Sequence, residues 1–196
     1  ATIKNSVIFI RGMREDNFSS VSDAKTRRIM NKVENIGFYY LKSLLQFRGV
    51  VEDMEHCRVM MNRYPWHGTR ISRSKNIELH LFLFDNLCYL FHEKCKNFYN
   101  QQKRFALSLL MEEPTWLQAE LKSIQRGIGE HIRRRGQTVH EWNMYHSGVD
   151  RLSMLENILE RDIDAVGEFG RLMDHYRDVK YEVKNDAEKA IEFCVD

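Results

Sequence analysis

The sequence predicts an all-α protein, an up-and-down bundle of about four to five long helices with a short extended arm at its N-terminus. Three observations predict it. Apolar residues recur at three- and four-residue spacing over most of the chain. Only two prolines, Pro65 and Pro114, punctuate the 196 residues, and both fall between periodic runs. A β-sandwich or barrel needs many more turn signals. Finally, 43% of residues are hydrophobic and 30% charged. That balance suits helices that bury one stripe and leave the rest of their circumference to water.

The elements follow in order. Asn5 to Gly12 carries the patch Val7, Ile8, Phe9 and Ile10 and reads as a strand or extended arm. Residues 1–16 are taken as this arm and 17–196 as a single bundle domain, a length one core can serve. Ser22 or Asp23 can cap a first helix, in which Ile29, Val33, Ile36, Tyr40, Leu44 and Phe47 mark the inner face. It ends near residue 47 or continues through Met54, Cys57 and Met61 to Tyr64, where Pro65 stops it. A loop follows. The next helix, from about residue 74 to 103, has the strongest pattern, with Leu81, Phe84, Cys88, Phe91, Cys95 and Phe98 widened by Leu83, Leu87 and Leu90. Pro114 opens another helix through Leu117, Leu121, Ile124 and Ile128 to about Arg133. Gly127 and Gly129 weaken it. A last long helix starts near Val149 and continues, or restarts, through Tyr176, Val183 and Ile191.

Composition excludes several classes of function. Net charge is +2, so bulk charge argues neither for nor against nucleic acid, and a nucleic-acid site must come from local clustering. The four cysteines (Cys57, Cys88, Cys95 and Cys194) form no CxxC pair and read as buried free thiols. The N-terminal apolar patch is too short for a secretion signal or a membrane span, so a cytoplasmic protein without membrane association is expected. Neither GxxxxGK[ST] nor GxGxxG after a strand occurs, and no cofactor is expected. Asp53 with His56, and Glu130, His131, His140, Glu141 and His146, are the places where a metal would have to bind. HExxH and the repeated ExxH of di-iron bundles are both absent, and no metal site is assigned.

One segment carries chemistry. Arg133-Arg134-Arg135 ends the predicted third helix, where cations suit the negative end of the dipole. Gly136 can then take a left-handed C′ conformation, and Gln137-Thr138-Val139-His140-Glu141-Trp142 follow as a turn. An arginine followed after four to six residues by a histidine, just before the last long helix, resembles the motif of the HEPN superfamily. Arg135 with His140 has the four-residue gap, and Arg134 and Arg133 have five and six. Gly136 stands where the family usually has a polar residue. Arg126 with His131 is a second, glycine-interrupted match.

The resemblance implies an α-helical bundle, often dimeric, acting as a metal-independent endoribonuclease or an RNA-binding relative in toxin–antitoxin, phage-defence or RNA-processing systems. It implies catalytic roles for Arg135 or Arg134 and for His140, with Gln137 and Glu141 orienting them. It also implies a homodimer that brings two motifs together. The chemistry is coherent. A histidine that titrates near neutrality can take the proton of a ribose 2′-hydroxyl or give one to the leaving oxygen. An arginine can grip phosphate oxygens and stabilise charge building on phosphorus. A second basic segment, Trp66, Arg70 and Arg73, joins an aromatic to cations in the way single-stranded RNA is held, and Arg133 and Gln137 are further RNA contacts. The runner-up is a non-catalytic helical module that binds a protein partner, and the third reading is a metal-dependent helical enzyme.

Overall fold

The structure, a computed structural model, describes residues 24–61, 63, 71–108, 115–141, 146–161 and 166–195, excepting the side chains of 24–34, 36, 108, 140, 141, 161, 166 and 168. The predicted arm, the caps Ser22 and Asp23, Pro65, Trp66, Arg70 and Pro114 lie outside the described residues. All the described secondary structure is helical: α1 (Ala24–Met61), α2 (Arg73–Ser108), α3 (Thr115–Glu141), α4 (Ser147–Arg161) and α5 (Val166–Val195). By its contacts the chain divides into residues 1–46 and 47–196.

In the first unit the described residues belong to α1 alone. The Ser43 hydroxyl donates to the Tyr39 carbonyl one turn back at 2.9 Å. Phe38 and Tyr39 meet edge to face at 6.3 Å.

The second unit holds the core. Val50, Met54, Cys57 and Met61 come from α1, and Ile77, Leu81, Phe84, Cys88 and Phe91 from α2. Ile128 of α3, Val149 and Leu152 of α4, and Leu172 to Ile191 of α5 complete it. The three–four spacing of the sequence is thus the inner face of each helix. Phe47 packs on Phe91 and Phe98 at 5.8 and 5.7 Å. Arg58 of α1 donates to Glu55 one turn back and to Glu188 of α5, each at 2.7 Å.

Contacts fix the direction of each leg. Gly127 of α3 faces Phe193 of α5, the charges of Arg134 and Asp186 act on each other, and Gly148 of α4 abuts Val179. Arg151 and Leu155 then border a cavity with Arg171, Asp174 and His175. As α3 and α4 advance, their partners on α5 recede, so both helices run antiparallel to α5, one after the other. Along α2, Glu156 of α4 meets Arg73 and Ser74, while Arg134 of α3 meets Asp85. The unit is therefore an up-and-down bundle whose third leg is broken into α3 and α4. The sequence placed residues 147–161 at the start of the last leg, whereas they finish the third.

Two helix starts are sealed by side chains. At α2, Ser72 accepts from the Lys75 amide at 3.2 Å. The Glu156 carboxylate accepts from the amides of Arg73 (2.7 Å) and Ser74 (3.1 Å) and from the Ser74 hydroxyl. Those first-turn amides have no intrahelical partner, and a carboxylate also suits the positive end of the dipole. At α4, Nδ1 of buried His146 accepts from the Val149 amide at 3.4 Å. Burial and then Arg134 hold the His146 pKa below its ordinary 6.5, which suits a ring nitrogen that accepts.

Candidate functional site

The Arg–His segment is helix throughout. The sequence ended the third helix near Arg133 and made Gly136 its left-handed stop; instead α3 continues through Gly136 to Glu141. A mid-helix glycine costs roughly 0.5–1 kcal/mol. Side chains on both sides of it are held as follows.

Arg134 turns inward and is buried. Its Nε donates to Asp85 Oδ2 at 2.6 Å and its Nη2 to Oδ1 at 2.7 Å, a two-pronged grip on a carboxylate of α2 that is itself 1% exposed. His131, one turn earlier, brings Nδ1 to 2.8 Å from both Asp85 Oδ1 and Arg134 Nη2. A carboxylate only accepts and a guanidinium only donates, so Nδ1 can satisfy one of them. A donated proton to Asp85 gives that carboxylate three donors and leaves Arg134 with its own two bonds intact. Phe84 closes the site with its ring edge to face against His131 at 5.1 Å.

Arg135 takes a third direction. Its guanidinium lies over the Tyr89 ring at 4.1 Å and Nε donates to Asn86 Oδ1 at 3.3 Å. Arg133 is exposed. It bonds Glu130 through Nε at 2.9 Å and through Nη2, and donates through Nη1 to Gln137 Oε1 at 2.7 Å. The Arg133 bonds hold the Glu130 carboxyl below its usual range. The Thr138 hydroxyl donates to the Arg134 carbonyl at 3.0 Å.

Helix geometry then sorts the arginines against His140. At 3.6 residues per turn, Arg135 lies about 140° round the axis from His140, Arg134 about 120° the other way, and Arg133 only about 20° away. The helix therefore sets the positions of Arg133, Gln137 and His140 on one face, continued backward by the exposed Glu130, Arg126 and Lys122. The helix thus sets Arg135 and Arg134, with their four- and five-residue gaps, on different faces from His140. Arg134 is already held by Asp85.

Of the other predicted contacts, Trp66 and Arg70 lie outside the described residues. Arg73 is the first residue of α2, with its guanidinium 5.9 Å over the Tyr176 ring. It precedes Asp85 by 12 positions, about 18 Å at the helical rise. A cavity of about 380 Å³ between α4 and α5 is lined by Arg151, Leu155, Arg171, Asp174, His175 and Asp178. Among the described residues no group of three or more His, Cys, Asp or Glu side chains is placed to hold a metal ion, and no helix is long and apolar enough to cross a membrane. Burial pushes the thiols of Cys95 and Cys194 up to about 12 and that of Cys88 well above its ordinary value.

The sequence reading missed Asp85, the residue around which the interior of this segment is organised. A signal was present. Asp85 follows Phe84 and stands one turn from Leu81 and Cys88, on the apolar stripe of α2. An acid there needs a buried cation or donors. Comparison of the chain with family models, with curated proteins and with solved structures finds no match.

Proposed function

We propose that the chain binds RNA along the outer face of α3 and cleaves it without a metal, in the manner the HEPN resemblance implies. The observation that carries this reading is the register of Arg133, Gln137 and His140 at i, i+4 and i+7 on one helix face. Arg133 is the phosphate-binding arginine. Its bonds to Glu130 are solvent-exposed and screened by water, so a phosphate replaces the carboxylate at little cost. His140 is the general acid or base. The 2′-oxygen bonds to phosphorus as its proton passes to the base. The P–O5′ bond breaks and the departing 5′-oxygen takes up a proton, which leaves a 2′,3′-cyclic phosphate and a 5′-hydroxyl. DNA has no 2′-hydroxyl and is not cut. Lys122 and Arg126 extend the phosphate track.

The test is incubation of labelled single-stranded RNA with the protein in EDTA. EDTA-resistant cleavage is expected, lost in His140→Ala and lowered roughly 100-fold in Arg133→Ala, the scale of a single acid–base or charge-stabilising group. Arg135→Ala is expected to cut within a few-fold of wild type. Absence of both cleavage and RNA binding sinks the reading, and cleavage that stops in EDTA favours a metal-dependent enzyme. A non-catalytic interaction module is the second reading, favoured by the large apolar side chains exposed on α1.

A further inference from the structure

We infer that the cavity of about 380 Å³ between α4 and α5 binds a small zwitterion of the α-amino-acid class, its carboxylate held by arginine and its ammonium by aspartate. None of the lining residues belongs to α3, so this is independent of the RNA reading. On α5, Arg171, Asp174, His175 and Asp178 stand at i, i+3, i+4 and i+7, which makes one face. Arg151 and Leu155 of α4 complete the lining. Packed helices ordinarily seat apolar side chains along such a face, as Leu152, Leu172 and Val179 do in the core beside it. Here Leu155 is the apolar member of the lining, and two cations, two anions and an imidazole surround it. The result is a cavity at the small end of the roughly 300–1,000 Å³ usual for ligand pockets, with polar groups converging on it.

Charge selects the ligand. A simple anion calls for cations alone, and a polyamine for acids alone. A nucleobase is held by stacking on aromatic rings, and none lines this cavity. Both signs together call for a ligand that carries both. The forked guanidinium matches a carboxylate. An ammonium brings three protons and needs acceptors, which Asp174, Asp178 and His175 supply. Nε2 of His175 stands 3.0 Å from the Gly148 carbonyl oxygen. That oxygen only accepts, so Nε2 carries the proton, and Nδ1 of the neutral ring is an acceptor. Asp174 also faces Arg177 at 3.4 Å, an exposed surface pair that is cheap to exchange.

Thermal melts and titration calorimetry of the full chain test this, with the common amino acids added one at a time at millimolar concentration. At least one is expected to bind saturably and to raise the melting temperature as its concentration rises. Its methyl ester, which has no carboxylate, and its N-acetyl form, which has no ammonium, are each expected to bind roughly tenfold more weakly or worse, the scale of a hydrogen bond to a charged group. Arg151→Ala and Asp178→Asn, both at exposed positions, are expected to lose as much with helical circular dichroism retained. The blocked amino acids decide the matter if a variant does not fold. The proposal is overturned if no amino acid binds saturably, if both blocked forms bind as well as the parent, or if neither variant weakens binding. Displacement of the amino acid by inorganic phosphate or a nucleoside monophosphate at lower concentration also overturns it.

Discussion

Asp85 sets the strictest demand in the molecule. A carboxylate 1% exposed is tolerable only because Arg134 and His131 surround it with donors. Removing one member of such a pair leaves an unpaired buried charge, which costs about 3–5 kcal/mol, whereas replacing both by apolar groups is often neutral or better. Asp85→Leu is therefore expected to lose most of the chain's stability, and Asp85→Leu with Arg134→Leu to recover most of the loss, measured by urea unfolding. Equal destabilisation in the double variant would show that the pair is not coupled. His146 makes a pH-dependent demand. Its folded pKa lies below 6.5, so the unfolded chain binds the proton more readily and stability falls as pH drops through 6.5. His80 and His92, lowered mainly by burial, act in the same direction. The melting temperature is expected to fall between pH 7.5 and 5.5, and His146→Asn to flatten that fall. A fall as steep in the variant would assign the dependence elsewhere.

At the scale of elements, the two glycines of α3 have opposite roles. A Cβ on Gly127 would stand 2.2 Å from the Phe193 ring and 2.6 Å from its Cβ, so the glycine lets α3 and α5 approach closely. A Cβ on Gly129 meets nothing within 4 Å. Gly129→Ala is expected to raise stability by up to about 1 kcal/mol, the propensity difference, and Gly127→Ala to lower it despite the same gain. Thermal melts of the two variants moving in the same direction would refute this. Sequence alone treated both as equal weaknesses because propensity is local and the Phe193 contact is not. The same limit explains the rest. Periodicity gave the inner face of every leg, since Leu81, Phe84 and Cys88 need only a helix and a core. It could not say that Arg134 and Arg135 leave α3 toward Asp85 and Tyr89 of α2. That depends on which helix lies on each side. Gly136 misled for a related reason, as the bonds that carry α3 past it belong to its neighbours.

At the scale of the whole molecule, reactivity is governed by burial. Cys57, Cys88, Cys95 and Cys194 are free, and burial raises every one of them. Only the thiolate reacts, so modification by a thiol reagent at neutral pH is expected to wait for opening of the bundle, with Cys88 slowest. Labelling rates read by mass spectrometry should rise with urea in step with unfolding. Rapid modification of Cys88 in native buffer would contradict the core described here.

The Glu156 carboxylate has a temporal consequence. The amides it satisfies lie 83 and 82 residues earlier in the chain. A polypeptide emerging N-terminus first therefore presents the start of α2 unsealed until α4 has been made, and the second leg acquires its finished end only when the third is nearly complete. Assembly of this bundle thus runs partly against the order of synthesis, with a late residue locking an early helix.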